Sequence, residues 1–424
     1  MGVAAGLLVN VRQNAVVVLF VIVPLVAWEI RQKRGSLAPA LSAVALVLAG
    51  FLAATAPFIL ANYQGTGVAS PVPLGGFDLY LGNHLDGPRP YYNPVPFAST
   101  NPDTQGIEFT IEASRREGRE LTLSEGSAFW IRDVVRIARD RPAAFARKLT
   151  SKALAVFHRW EEGDNHSIPF VSRFIPFFGL PFVAFWFVMP LGMAGLIVLA
   201  RRSRAAAGLL AIVVVYVMTM VLVFPNMRIR APLLVVLIPA GAAGLQGLLC
   251  AAQSRTRVAT YAGIVSAFAV LGNLPVAGVG DLTAHLNTHA ILLASRNQVV
   301  EAEEYWRKSS AQRGAYSEFA DVLLASRAMA VDDLAAARGW LDRIPDECYA
   351  APTKLEFYGD ILVREGRAED AAIAYRRSLS IRSGQLGVRQ KLIDLYRGFS
   401  PEQAHEQEHE IARLSDFYRR IGWP

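Results

Sequence analysis

The stretch Phe224-Pro225-Asn226-Met227-Arg228-Ile229-Arg230-Ala231-Pro232 separates two charge-free apolar runs, residues 205–224 and 231–251. Each run is close to the roughly 20 residues that carry a helix across a bilayer, so the pair reads as a membrane hairpin with two arginines in its turn. Pro225 and Pro232 restrict the backbone on either side of them. A guanidinium at that depth is costly unless an anion or a carboxylate meets it. Its planar fork suits phosphate, which it can grip with two parallel hydrogen bonds. The competing reading is that both side chains snorkel to lipid headgroups.

The rest of the 424-residue chain fits a membrane setting. It is 53% hydrophobic, its mean hydropathy is +0.29, and its apolar residues are gathered into long runs. Residues 35–61, 176–200 and 258–280 make further candidate spans, and 15–28 makes a shorter one, for about six in all. The expected fold class is therefore all-α, a polytopic membrane helix bundle. Arg31, Lys33 and Arg34, then Arg201, Arg202 and Arg204, then Arg255 and Arg257, fall in alternate connections. Basic residues mark the cytoplasmic side, so the 224–232 turn, the segment after residue 61 and everything past 280 are expected outside, in a bacterial inner membrane. Cys250 and Cys348 offer no disulfide framework. The net charge of +7 is accounted for by span-flanking and outer-loop residues, and nucleic acid is not an expected partner. Met1 to Asn10 is apolar but lacks a signal peptide's basic start and cleavage site, and reads as half of a span in an N-terminally truncated chain.

Four regions follow: first membrane helices over 1–61, an outer loop over 62–175, four membrane helices over 176–280, and a helical repeat over 281–424. The outer segment is too long to lack structure of its own. Its first half, rich in Gly, Pro, Asn and Tyr, reads as an irregular loop. Its second half reads as two helices, one from Ser124 and one signalled by Asp140 and Pro142. In the latter Phe145, Leu149, Ala153 and Phe157 recur every four residues, with Arg147, Lys148 and Lys152 on other faces. That pattern suits an interfacial helix or a packed helix with solvated basic residues. His84 and His166 read as surface or loop residues, without metal-ligand spacing.

Past residue 281 a small-x3-aromatic pattern recurs as Ala302…Trp306…Ser309, Ala336…Trp340…Arg343 and Ala371…Tyr375…Ser378, at spacings of 34 and 35 residues. That period and the run Tyr358-Gly359-Asp360 to Gly366-Arg367-Ala368-Glu369-Asp370-Ala371 resemble the tetratricopeptide repeat. The resemblance implies three to four helical hairpins in a solenoid that binds a protein partner or serves only as an extension.

The membrane part carries a second resemblance. Arg228-Ile229-Arg230-Ala231-Pro232 is similar to the Arg-x-Arg-x-Pro segment of the C-type membrane glycosyltransferases of family 39, the protein mannosyltransferase and aminoarabinose transferase type. Gly6-Leu7 with Arg12-Gln13-Asn14-Ala15, Pro57 to Tyr63, Gly75-Gly76-Phe77-Asp78-Leu79-Tyr80-Leu81-Gly82-Asn83, and Arg141-Pro142, Lys152 and His158-Arg159-Trp160-Glu161-Glu162 resemble further segments of that family in the same order. Gln13 replaces a usual proline and Ala61 a usual arginine. The resemblance implies inverting transfer of a sugar from a polyprenyl-phosphate donor to an acceptor that is protein, lipid or glycan. Arg228, Arg230 and Arg12 would hold the donor phosphate, and Asn62, Tyr63, Asp78 and Asn83 would line the outer-loop site. No cofactor is implied, and a divalent metal is left open. The family's acidic base lies in a first outer loop that this chain lacks, so the catalytic residue is unassigned, and Asp78, Glu161, Glu162 and Asp164 read first as turn-capping or solvated carboxylates. The alternative is a non-catalytic membrane anchor whose repeats scaffold envelope proteins. A transporter is disfavoured because charge avoids the span interiors.

Overall fold

The computed structural model describes residues 1–11, 13–66, 69, 75–164, 166–180, 184–250 and 254–420. The described residues are all-helical, without strands. In chain order, α1 (Gly2–Val11), α2 (Leu19–Arg34) and α3 (Leu37–Thr66) come first, with a 3-10 turn at Gln13–Val18. The outer segment carries α4 (Gly75–Asn83), α5 (Pro102–Glu117), α6 (Leu123–Asp140), α7 (Pro142–Phe157) and the single turn α8 (Ile168–Val171). Next are α9 (Phe185–Ala200), α10 (Arg204–Leu222), α11 (Met227–Cys250) and α12 (Arg255–Leu271). The C-terminal helices are α13 (Thr283–Ser295), α14 (Val299–Gln312), α15 (Ser317–Ala330), α16 (Leu334–Leu341), α17 (Ala351–Arg364), α18 (Ala368–Ile381), α19 (Leu386–Phe399) and α20 (Pro401–Arg420).

Among the described residues four helical stretches are long and apolar enough to cross a membrane: Ala15–Arg34, Leu37–Gln64, Arg204–Leu222 and Met227–Leu249. Of the six expected spans, the third and last are shorter than their charge-free runs. A 3-10 turn at Pro176–Gly179 precedes α9, and α12 ends before Asn273 and Pro275. Leu46, Val235 and Leu249 are 75%, 77% and 77% exposed, an apolar exterior that calls for lipid rather than water.

The chain divides into two compact units. The first comprises 1–73, 82–92 and 134–279. Its core gathers Met189, Met193 and Leu196 of α9, Val213, Tyr216 and Met220 of α10, and Leu233, Leu237 and Ala240 of α11. Glycine lets α9 and α11 come close: a Cβ on Gly195 would lie 2.0 Å from the Ala240 carbonyl oxygen. Small residues at such seams replace the hydrophobic drive that is missing between helices in lipid.

The second unit comprises 74–81, 93–133 and 280–424, so the outer segment is shared between the units rather than standing alone. The expectation of an irregular first half gives way at α4, whereas residues 84–101 are irregular and α5 opens the half expected to be helical. Asn101 caps α5 by accepting from the Asp103 amide, with Pro102 at the first turn. Gly75-Gly76 reads as a turn in sequence, yet Gly76 sits inside α4 where a Cβ would meet the Ser127 carbonyl oxygen at 1.9 Å. Asp78 is therefore in a helix's first turn rather than in a loop. Trp130 stacks on Phe97 with ring centres 5.2 Å apart and donates its indole N–H to the Phe109 carbonyl at 3.0 Å. Ile107 and Ile111 of α5 pack on Leu414, Phe417 and Tyr418 of α20.

Helices α13 to α20 pack as four consecutive pairs. The first and last of the aligned triplets are buried: Ala302, Trp306 and Ser309 in α14, and Ala371, Tyr375 and Ser378 in α18. The middle one is displaced by one residue, because Ala337, Leu341 and Ile344 are the buried set. Trp340 lies outside that set, between the guanidinium groups of Arg307 at 5.3 Å and Arg343 at 4.9 Å. Gly359 lies against Tyr375, where a Cβ would be 2.3 Å from the ring.

Candidate functional site

The 224–232 stretch, expected as a turn, is helical from Met227 onward, and its two arginines meet different environments at the start of α11. The Asn226 side chain accepts from the Ile229 amide at 2.8 Å, and the Met227 amide donates to the Glu162 carbonyl at 2.8 Å, so the start of α11 is tied to the segment that follows α7. Arg230 is 3% exposed. Its Nη1 donates to the carbonyls of His158 at 2.8 Å and Val156 at 3.2 Å, and its Nη2 to that of Trp160 at 3.1 Å. The guanidinium lies 4.4 Å from the Phe185 ring centre. A cation collecting the unpaired carbonyls of a helix C-terminus is favourable. Arg230 thus braces the end of α7.

Arg228 points the other way. Its side chain is 56% exposed and its Nε lies 2.5 Å from Asp164 Oδ2, with Asp164 25% exposed. The two neighbouring carboxylates are already engaged. Glu161 accepts from the Phe185 amide at 2.9 Å, at the start of α9 where the helix dipole favours an anion. Glu162 pairs with Arg89 and accepts from the Trp160 indole at 3.1 Å. Arg89 also lies over the Tyr91 ring at 5.4 Å. Burial, together with the Glu162 charge, raises the Tyr91 hydroxyl well above the ordinary phenol range.

Sequence reasoning missed Arg89, although Pro88 and Pro90 flank it much as prolines bound the Arg228 turn. It also misplaced the basic residues of α7. The buried residues of that helix are Lys148, Lys152, Ala155 and Val156, whereas Phe145, Leu149, Ala153 and Phe157 are half-buried. Neither a solvated basic face nor an apolar inner face describes it. Lys148 donates to the carbonyls of Gly87 at 2.5 Å and Arg89 at 2.7 Å, and burial lowers its ammonium to about 8. Lys152 donates to Asn83 Oδ1 at 2.7 Å and to the Val223 carbonyl at 2.8 Å. Burial, helped by the Lys148 charge, lowers it to about 6.

The remaining predicted residues are scattered. Asn83 is 1% exposed and donates to the Leu222 carbonyl at 2.6 Å, so with Lys152 it closes the C-terminal end of α10. Asn62, half-buried, and Tyr63, exposed, lie in the last turns of α3. Arg12 lies outside the described residues. His84 is buried at 4% exposure rather than on the surface, and His166 is exposed. Among the described residues no group of three or more His, Cys, Asp or Glu is placed to hold a metal ion. Among the described residues the cluster brings together a cation–carboxylate pair, Arg228 with Asp164, whose cation is exposed, beside a more deeply buried framework made by Arg230, Glu161, Glu162, Arg89 and Lys148. No protein-family model matches the chain, and no curated protein is detectably similar to it.

Proposed function

We propose that the protein is an integral-membrane glycosyltransferase that moves a sugar from a polyprenyl-phosphate donor to an acceptor hydroxyl, with its C-terminal helices acting as a tetratricopeptide-like solenoid that contacts the acceptor or a protein partner. The observation that carries the reading is the Arg228–Asp164 pair at the first turn of α11. A donor phosphate entering there competes with Asp164 for Arg228, gains bidentate hydrogen bonds, and releases the carboxylate. Asp164 then takes the proton of the acceptor hydroxyl as its oxygen attacks the anomeric carbon. The bond from that carbon to the phosphate oxygen breaks, and Arg228 stabilises the charge left on the carrier. Arg230 has a positioning role here, holding the 158–164 segment so that Asp164 faces Arg228.

The second reading, a non-catalytic membrane anchor for a partner-binding repeat, is favoured by the engagement of Arg230 with main-chain carbonyls, which gives that arginine a structural use. Both readings are tested with the full chain in vesicles, using a photoreactive polyprenyl phosphate for capture and a panel of polyprenyl-phosphate sugars for transfer. Arg228→Ala is expected to lower capture and transfer by roughly tenfold or more, the scale of losing one charge-stabilising donor. Asp164→Asn is expected to retain capture and lose transfer. Wild-type protein that captures no carrier, or variants that transfer as wild type does, would overturn the enzyme reading.

A further inference from the structure

At the opposite end of the spanning helices, α9, α11 and α12 enclose a cavity of about 190 Å³. Its apolar wall includes Val198, Leu199 and Leu248, and its rim carries Arg201, Arg202 and Arg257. All three arginines are exposed, and no described carboxylate pairs with them. The three helices meet through small residues. A Cβ on Gly244 would lie 2.7 Å from Gly195 Cα and 2.8 Å from the Tyr261 ring, and the Tyr261 hydroxyl is turned away to donate to the Leu191 carbonyl at 3.1 Å. Gly247, one turn on, borders the cavity, and a Cβ there would meet nothing within 4 Å. Thr256 and Thr260 line the first turns of α12, whose N-terminus adds a partial positive charge.

We propose that this cavity is a binding site for an anionic phospholipid of the leaflet that faces the basic connections. The phosphate sits among Arg201, Arg202, Arg257 and the start of α12, and the first part of one acyl chain lies along Val198, Leu199, Leu248 and the open face at Gly247. Three observations converge on a lipid rather than a soluble anion: the wall is apolar, the arginines flank α10 and α11, two helices long and apolar enough to span, at the ends where headgroups would lie, and the cavity is unfilled by the protein's own side chains. Basic pockets between spanning helices on the cytoplasmic side take anionic headgroups in this way, each nearby basic residue contributing about 1 kcal/mol. The site is independent of sugar transfer.

The test uses the full chain in detergent, titrated with phosphatidylglycerol or with phosphatidylcholine of the same acyl chains and read by native mass spectrometry. One phosphatidylglycerol is expected to be retained at about a tenth, or less, of the phosphatidylcholine concentration. Removing the charges with R201Q/R202Q/R257Q is expected to weaken retention on the order of a hundredfold. Gly247→Phe fills the cavity while leaving every charge in place, and is expected to abolish the single retained lipid. Inorganic phosphate alone is expected to leave retention unchanged. Equal retention of the two lipids would overturn the proposal. So would retention unaffected by Gly247→Phe, which would mean diffuse attraction to arginines, or displacement by inorganic phosphate. Should Gly247→Phe not be recovered folded, the lipid comparison and the phosphate competition on wild-type protein still decide.

Discussion

Lys152 Nζ lies 2.7 Å from Asn83 Oδ1 and 2.8 Å from the Val223 carbonyl oxygen, at a position with no solvent exposure. Asn83 Oδ1 and the Val223 carbonyl take two N–H donors at close range, and the Leu222 carbonyl is a longer third acceptor at 3.4 Å. The folded protein holds this group near 6, whereas an unfolded chain holds it near its ordinary value of about 10.4. Between those values the unfolded chain binds the extra proton, so stability rises with pH across that window and the contribution is lost as pH falls towards 6. One such group adds a slope of up to ~1.4 kcal/mol per pH unit. Denaturant unfolding at pH 7, 8 and 9 is expected to show the rise, and Lys152→Met is expected to flatten it. An identical slope in the variant would place the titration elsewhere.

Arg230 should behave as a brace first and a ligand contact second. Arg230→Lys keeps the charge but cannot span the carbonyls of Val156, His158 and Trp160 with one ammonium. The expected cost is about 2–4 kcal/mol, because buried acceptors lose charged donors. Hydrogen exchange should accelerate over the last turn of α7 and residues 158–164 before it does elsewhere. Protection unchanged in that segment would remove the brace.

The displaced middle triplet makes a prediction against side-chain size. Leu341 is fully buried, and Leu341→Ala is expected to cost about 2–5 kcal/mol. Trp340 is larger but only half-buried: it packs at the edge of two hydrophobic clusters and lies near the guanidinium groups of Arg307 and Arg343, so Trp340→Ala is expected to cost about 1–2 kcal/mol, less than losing a fully buried side chain. Equilibrium unfolding of the full chain ranks the two, and the reverse order would restore the register at Trp340.

Burial pushes the Cys348 thiol up to about 11, so at neutral pH it is expected to resist maleimide until the protein is unfolded. That makes a background for testing orientation. With Cys250 changed to Ser, a cysteine placed at the exposed Gln312 should be labelled by an impermeant reagent from outside intact cells. Labelling only after lysis would invert the topology.

Several features were legible in sequence because they depend on local chemistry. Charge-free runs announce spanning helices, since lipid offers no partner to a bare backbone or a charge. Pro142 marks the start of α7, and the period near 35 residues marks the C-terminal helical pairs. The helix α5 falls in the half of the outer segment that reads as helical, with Asn101-Pro102 marking its start, whereas the density of Gly and Pro around α4 drew that stretch towards a loop.

What the sequence determined by itself is therefore the all-α class, the membrane character and the pairing of helices past residue 281, all of them set by hydrophobic periodicity and punctuation. What only the tertiary structure decided is where each cation is used. Lys148 and Lys152 look like solvent-facing residues along the chain, yet they turn inward because the fold brings carbonyls that need donors against them, those of Gly87 and Arg89 in an irregular segment for Lys148 and that of Val223 at the end of α10 for Lys152. Arg228 and Arg230 are two residues apart and chemically identical. One is enclosed by the end of α7 and the other keeps an exposed side chain while meeting a buried oxygen of Asp164, because successive residues near a helix start point in different directions and only the neighbours brought by folding determine what each one meets.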